Sequence, residues 1–425
     1  MTTTRRGALT LVAGSLLLGA ASVGAGPAAA EDVRLRLTWW GNPDRDKRTF
    51  AAIDAYQAAK PNVRIDGQAL GWGDYWPKLA TQTVGGNAPD IIQMDYRYLY
   101  EYARRGVIRP LDGLVELPDF SQPVIAAGTV DGKLQAVSLG GSGWALYYNA
   151  DLFEELGVPA PQFGWTWADY EATARQIAKA SGGKIAGAAD MGGEEAVLEV
   201  WLLERGKSLY DKDGKLGFTQ ADVEEWFRYW ETLRAEGVVP PSDVTSAALN
   251  GNLTNDEVVD SKAAISFAGI NQVVALQALT KAKLGMVSLP TLPGGAPGVY
   301  VKPSQFLTIA STSKQPEAAA AFIEWMVTDP QAAKILGVER GVPGSAAARG
   351  IVQGDLSREG LMMVDYMQKL SENPAELPPP PPKGAGENEV ALKRIYPQIG
   401  FGKLDPASAA KQFYEQAQTA VARAG

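Results

Sequence analysis

Aromatic and ionisable side chains cluster repeatedly near the start of the chain, each time where an apolar run ends. "LTWWGNPDRD" at 37–46 carries Trp39, Trp40, Asn42, Asp44 and Arg45; "GWGDYW" carries Trp72 and Asp74; "MDYR" carries Asp95, Tyr96 and Arg97. Flat rings beside directional donors and acceptors serve either core packing or recognition of a small ligand. Adjacent strand residues face opposite ways, so one of Trp39 and Trp40 is expected in a core. Catalytic options are narrower. The chain has no cysteine and no histidine. A Ser-His-Asp triad, a Cys-His pair and a His or Cys zinc site are all excluded. Carboxylate chemistry, lysine chemistry and oxygen-ligated metals remain, and no disulfide or lipid-modified cysteine can form.

These clusters need elements to carry them. "VRLRLTWW" alternates apolar and polar residues and predicts a strand ending in the Trp pair. "DKRTFAAIDAYQAAKP" follows, with Phe50, Ile53 and Tyr56 at near-helical spacing and Pro61 beyond its end. "NVRIDGQAL" is strand-like, "DYWPKLATQTVGG" helical with an early Pro and a final Gly pair, and "PDIIQMD" a short buried strand. The alternation predicts an α/β layer with a largely parallel sheet. Ligands of such sheets sit at the carboxyl ends of strands, where the Trp pair falls.

"GKLQAVSLGGSGWALYYNADLF" breaks this rhythm at 140–143, where glycines suit either a crossing between domains or a bulge. Val223, Trp226, Phe227, Trp230 and Leu233 then form one apolar helical stripe, which assigns both tryptophans to a core. "KAAISFAGINQV", "KLGMVSLP" and "FLTIAST" read as strands. "QPEAAAAFIEWMV" reads as a helix, with Pro316 near its start and Phe322, Ile323, Met326 and Val327 on one face. "ELPPPPPK" at 376–383 is an extended surface segment, either a solvated connection or a recruiter of a partner.

With 425 residues, 46% hydrophobic and 21% charged, the chain has the length of two domains. A formal charge of −8 at pH 7 argues against a nucleic-acid groove. Arg5 and Arg6 precede the apolar "ALTLVAGSLLLGAASVGAG", and "AAA" at 28–30 offers a small-residue cleavage site before Glu31, as in an export signal. A membrane anchor is the other reading, disfavoured by the Gly/Ala-rich composition. "TRRGAL" resembles a twin-arginine signal without the usual bulky residues after the pair. Either export route places the mature chain outside the cytoplasm, in a periplasm or beyond.

"AYQAAKPNVRI", "GGNAPDIIQMD", "TVDGKLQAVSLGGSGWALYYNADLFEELG", "AISFAGINQV", "QFLTIASTSKQPEAAAAFIEWMVTDP" and "ERGVPGS" occur in an order that resembles the extracytoplasmic solute-binding proteins of ABC importers. The resemblance is to the larger oligosaccharide-binding group that includes the maltose-binding protein. It implies a two-lobe α/β fold with a ligand cleft and three chain crossings, near Gly140, Pro290 and Gly341. Residues 1–30 would be the export signal, 31–139 with 291–340 one lobe, and 140–290 with 341–425 the other. It also implies a monomeric receptor that reports its sugar to a membrane permease by closing, performs no chemistry, and needs no cofactor, metal or nucleic acid.

A sugar presents hydroxyls at its edge and C–H groups on its faces, so aromatic platforms with polar neighbours suit it. By position in the family's motifs, Trp40, Asn42, Asp44 and Arg45 fall where sugar contacts occur. Trp72, Asp95, Tyr96 and Arg97 are further candidates, whereas Trp76, Tyr98, Tyr100 and Tyr102 read as packing. The other lobe would supply Ser142 and Trp144 at the first crossing. It would also supply Glu194, with Met191, from a loop where the acids serve equally well as helix caps. "AGINQ" adds Asn271 and Gln272, "VKPSQF" adds Ser304 and Gln305, and "ERGVPG" adds Arg340. Ser142 stands where the family often has a carboxylate. Asn271 stands near the maltose binder's platform aromatic and removes a stacking surface for a long glucan. The Arg340 fork suits a carboxylate or sulfonate, or else a structural salt bridge. The main reading is a neutral-sugar receptor. The others are a receptor for a uronic or sulfonated sugar, a secreted enzyme using two carboxylates at a set separation, and a receptor for a polyamine or a metal chelate, with a free transition metal disfavoured by the absence of His and Cys.

Cleavage near Ala30 is expected to leave a mature chain that begins near Glu31. Intact mass from the native host checks this, and retention of residues 1–30 in a membrane pellet refutes it.

Overall fold

The computed structural model describes residues 32–41, 43–382 and 384–424; the export segment and Asn42 lie outside them. Its two main sheets use β1 (Val33–Trp40), β2 (Val63–Leu70), β3 (Ile91–Met94), β4 (Val137–Ser138), β5 (Trp144–Asn149), β6 (Ile265–Gly269), β7 (Leu284–Val287) and β8 (Phe306–Ile309).

The first lobe is built on a five-stranded sheet in the order β2-β1-β3-β8-β4. β1 runs parallel to β2 and β3, as the strand–helix alternation predicts. β8 is antiparallel to both of its neighbours, because the chain re-enters this sheet from the second lobe. Helices cover both faces, so the expectation that one Trp of the pair is free fails. Trp39 and Trp40 point to opposite faces and both are buried. Trp39 meets Phe50 of the helix Pro43–Ala59 at 5.0 Å, and Trp40 meets Tyr75 of the helix Trp72–Val84 at 5.1 Å. The helix Pro316–Thr328 starts on its proline and buries Phe322, Ile323, Met326 and Val327.

The second lobe carries a three-stranded sheet, β7-β5-β6, antiparallel throughout rather than parallel. The helix Gln220–Ala235 buries its whole apolar stripe, Val223, Trp226, Phe227, Trp230 and Leu233. A reciprocal cap fixes its start: Thr219 accepts from the Asp222 backbone, and Asp222 accepts from the Thr219 backbone. Each such buried aromatic contributes about 1.5–3 kcal/mol of transfer free energy.

Where the lobes join, chain segments run side by side. Gly141–Ser142 pairs with Lys302–Pro303, and Gly141 exchanges backbone hydrogen bonds with Val342. The second crossing therefore lies at Lys302–Ser304 and not near Pro290. Residues 291–296 belong to the second lobe, since Thr291 N–H donates to the Trp165 carbonyl and Ala296 N–H to the Glu204 carbonyl. The boundary at Gly341 also moves. Ser345 bridges to Phe120 and donates to Asp119, and the helix Ala346–Gln353 packs through Ala348 and Val352 on Ala333, all in the first lobe. The chain rejoins the second lobe with the helix Arg358–Leu370, where Tyr366 O–H donates to the Trp144 carbonyl.

The proline run is a strap and not a solvated link. Pro378 is buried, and its carbonyl accepts from Tyr96 O–H of the first lobe at 2.8 Å. Among the described residues no helix is long and apolar enough to cross a membrane.

A Cβ on Gly140 would sit 2.7 Å from the Arg340 carbonyl oxygen, 2.9 Å from the Gly341 carbonyl carbon and 3.0 Å from the Val342 oxygen. All three are backbone atoms that cannot yield. Gly140→Ala is expected to cost about 1–3 kcal/mol in thermal or urea denaturation. An unchanged midpoint shows that the segments are not in this contact.

Candidate functional site

A cavity of about 580 Å³ opens between the lobes. From the first lobe come Trp72, Asp95, Tyr96 and Arg97. Asp95 follows β3 and caps the helix Tyr96–Arg104 by accepting from the Arg97 backbone at 2.9 Å, which turns strand into helix at the cavity wall. Trp72 is 46% exposed. Trp40 holds it edge-on at 5.1 Å and Trp76 at 5.5 Å, so a large open ring is fixed by buried ones. From the second lobe come Trp144, Phe267, Gln272, Tyr210, Tyr300 and Lys302. The Trp144 and Phe267 rings lie 5.3 Å apart, and the Lys302 ammonium sits 5.0 Å over Trp144.

Carboxylates dominate the polar wall. Glu194 precedes the helix Glu195–Leu203 but makes no capping bond with its side chain, so the capping alternative is not realised. Glu195 and Glu199 lie one turn apart on that helix, and Glu199 accepts from Tyr300 O–H at 2.6 Å. Burial pushes all three carboxyls up, Glu195 to about 8; the negative charges of Glu389 and Glu199 add to its shift, and Arg97 and Lys393 oppose it. Glu257, 6% exposed, is raised well above the usual carboxylate range by burial and then by Asp256. Asp190 is neutralised from behind by Arg234 and by the Tyr396 hydroxyl, and Asp256 accepts from two backbone N–H groups and Ser266. Among the described residues no carboxylate group has metal-holding geometry. The arrangement combines stacking rings from both lobes with many acceptors, which suits a polyhydroxylated ligand.

The structure brings Trp72, Asp95, Tyr96, Arg97, Trp144, Glu194 and Gln272 to one cavity, with Met191 beside them. It does not bring the rest. Trp40 is 8% exposed and lies behind Trp72. Asp44 pairs with Arg48 on the surface at 2.8 Å, and Arg45 pairs with Glu339 at 3.0 Å, because both sit on the helix Pro43–Ala59. Ser142 is bound into the two-strand crossing with Lys302, and Ser304 donates to the Gly140 and Arg340 carbonyls. Asn271 is exposed and Gln305 buried, neither on the wall. Arg340 is 3% exposed and donates to Gln93, Gln305 and Thr49 inside the first lobe. Its fork faces no ligand, and burial pushes its guanidinium down to about 9. Asn42 lies outside the described residues.

Glu195, Glu199, Tyr210, Glu257, Phe267, Tyr300, Lys302, Lys393 and the prolines of the strap line the cavity and were not singled out from the sequence. One signal was available: "EEAVLEVWLL" places acids a turn apart on an otherwise apolar helix, where solvated acids are out of place. Nothing in the local sequence marks the others.

Residues 51–350 match the family described as bacterial extracellular solute-binding proteins. A binding protein of Brucella abortus (strain 2308) is 26% identical over 284 residues, 65% of this chain and 66% of that protein. The maltooligosaccharide ABC transporter solute-binding lipoprotein of Streptococcus pneumoniae serotype 4 is 24% identical over 313 residues, 68% of this chain and 66% of the relative. The aligned part thus spans about two thirds of these curated relatives. The solved structure of an extracellular solute-binding protein of family 1 from Alicyclobacillus acidocaldarius is 30% identical, with a TM-score of 0.82, covering 93% of this chain and 100% of the other.

The Glu195 carboxyl, ordinarily near 4.5, titrates near 8 in the folded protein. Between those values the folded state holds a proton that the unfolded chain has released, so stability falls as pH rises through this window. Glu195→Gln is expected to flatten that fall and to raise Tm at pH 8 above wild type. Equal pH slopes of Tm in the two proteins show a carboxyl already ionised at pH 5.

Proposed function

We propose that this chain, which belongs to the bacterial extracellular solute-binding protein family, is the exported receptor of a sugar ABC importer. It takes a sugar or short oligosaccharide between its lobes as a monomer, outside the cytoplasm. It delivers that sugar to the membrane permease by closing and leaves it chemically unchanged. The observation that carries this reading is the cavity wall itself: Trp72 and Tyr96 from one lobe face Trp144, Phe267 and Tyr210 from the other, with hydrogen-bonding groups between them. Rings on two bodies grip a ligand only when both engage it, so binding favours the closed form. The likeness to a maltooligosaccharide-binding lipoprotein supports a carbohydrate.

The runner-up readings gain less. The Arg340 fork does not reach the wall, being bonded inside the first lobe, which leaves Arg97 to supply a guanidinium there. The cations that do line the cavity, Arg97, Lys302 and Lys393, stand among a larger number of carboxylates, which disfavours a uronic or sulfonated sugar. A hydrolase would need one pair of these acids set apart for acid and nucleophile or base roles, and none is distinguished.

A cognate sugar at 100 times its Kd is expected to add about 2.7 kcal/mol to stability, read as a thermal shift across a sugar panel. The sugar recovered after long incubation should be unchanged by chromatography; protein-dependent products would falsify the receptor reading. Trp72→Ala should weaken binding by about 2 kcal/mol or more with little change in Tm, whereas Trp40→Ala should lower Tm by removing buried packing. The reverse pattern assigns the platform to Trp40.

A further inference from the structure

We propose that the proline strap is the end wall of the sugar site, so that the ligand is a short oligosaccharide whose terminal unit stops against Pro379 and Pro381. This rests on the receptor reading of the same cavity and adds what sets the ligand's length. The strap leaves the second lobe, seats on the first and returns. At its start Ala375 N–H donates to the carbonyl of Val299, a core residue of the second lobe, at 2.8 Å. Two residues on, Leu377 packs against the first-lobe cluster that holds Trp40 and Tyr75, and the Pro378 carbonyl accepts from Tyr96 O–H at 2.8 Å. At its end the Pro382 carbonyl accepts from Ala385 N–H at 3.1 Å, where the helix Ala385–Ile395 begins and carries Leu392 and Ile395 into the second-lobe core. An unbroken run of prolines, 378–382, fills the span. Each proline fixes its own φ and has no N–H to donate, so the run is extended and stiff. Pinned on both lobes, it holds its place as a glycine-rich loop would not.

Beyond the strap lies a groove of about 960 Å³, walled by Tyr100 and Arg104 of the helix Tyr96–Arg104 and by Asp211 and Asp213 of the second lobe. The residues common to this groove and to the cavity of about 580 Å³ are Leu377, Pro378, Pro379 and Pro381 of the strap, with Tyr96 and Arg97 beside it. The cavity alone falls within the roughly 300–1,000 Å³ of a pocket for one small molecule, and the two spaces joined would exceed that range. The strap also decides what the ligand's end meets. Prolines offer carbonyls and ring faces, so a terminal sugar finds acceptors for its hydroxyls and an apolar surface for its C–H face. The Tyr96 hydroxyl is taken by Pro378, which leaves the Tyr96 ring to the ligand. On the groove side the Arg104 guanidinium lies 5.5 Å over the Tyr100 ring. That pair is a platform with donors, and a longer chain reaches it only where the strap gives way.

The test is calorimetry on the purified protein with three ladders, maltose to maltohexaose, cellobiose to cellohexaose and xylobiose to xylohexaose. Wild-type affinity is expected to level off by the trimer, the hexamer gaining less than threefold over it. Pro379→Gly combined with Pro381→Gly removes two ring walls and the stiffness, and its hexamer is expected to bind at least tenfold tighter than its trimer. Adding Tyr100→Ala is expected to abolish that gain, because the extended chain loses its platform in the groove. Tyr96→Phe releases the strap and keeps the ring; it is the second variant should the double glycine melt early, with the same direction of change expected. A wild-type affinity that climbs threefold or more from trimer to hexamer overturns the inference and leaves the sugar receptor standing. An opened strap whose ladder stays as flat as the wild type's does the same, as does a gain that survives Tyr100→Ala. Absence of binding at every length, by wild type and variants alike, overturns the receptor reading and the inference together.

Discussion

The lobes meet at a point where Gly140 has no room for a side chain, and much of the site's geometry depends on that contact. With backbone packed on backbone, Gly141 bonds Val342, Ser142 pairs with Lys302, and the Ser304 hydroxyl reaches the carbonyls of both Gly140 and Arg340. Directly behind lies Arg340, donating to Gln93, Gln305 and Thr49, with Arg45 and its partner Glu339 alongside. Burial first, and then the neighbouring Arg45 charge, lower the Arg340 pKa. A desolvated guanidinium held by neutral oxygens is a poor source of net stability but a strong source of fixed geometry. The connection between the lobes is thereby pinned in the core of the first, and a change of lobe angle has to be absorbed by the few residues beyond it. Lys302, which leaves this junction toward the cavity, carries that geometry to the Trp144 ring.

From this junction the cavity's two sides are held by different means. On the first lobe the support is aromatic: Trp40, Tyr75, Trp76 and Tyr98 lock around Trp72, with Trp76 and Tyr98 only 3.9 Å apart. On the far side the strap of prolines, whose residues lack backbone N–H, offers carbonyls alone, and Tyr96 donates to one of them. That bond ties a chain segment of the second lobe to a helix of the first at the cavity's edge. The strap and Tyr96 also line a neighbouring groove, so the strap is a wall between two spaces.

Much of the fold was legible because it rests on local periodicity. The alternation in Val33–Trp40, the stripe from Val223 to Leu233 and the proline start at Pro316 each follow from one segment's own pattern. Strand direction was not legible: β8 and the sheet of the second lobe are antiparallel because of where long connections return. The lobe boundaries failed for the same reason, since Thr291 and Ser345 reveal their lobe only through distant partners, Trp165 and Asp119. In the site, residues at strand ends followed by a helix cap, such as Asp95 to Arg97, were readable. Arg45 and Arg340 misled because a charged side chain in a ligand-like motif looks the same in sequence whether it faces a cleft or an internal carboxylate or amide.

The acids at the start of the helix Glu195–Leu203 pose a stability problem that the same lobe's construction answers. The helix Glu195–Leu203 turns Val197, Leu198, Val200, Trp201 and Leu202 into the core. Trp201 sits 5.2 Å from Trp226 and 5.3 Å from Trp167, so the helix is anchored along its length by aromatic packing. Its acids Glu194 and Glu195 fall at its N-terminal end, where the free N–H groups and the helix dipole favour negative charge by about 0.3–1 kcal/mol each. Burial outweighs that offset, since both carboxyls are raised above their ordinary range. Because the core fixes the helix, the carboxyls cannot relieve their crowding by moving apart. Lys393 and Arg97 offset part of their charge, and the wall keeps its shape as they titrate.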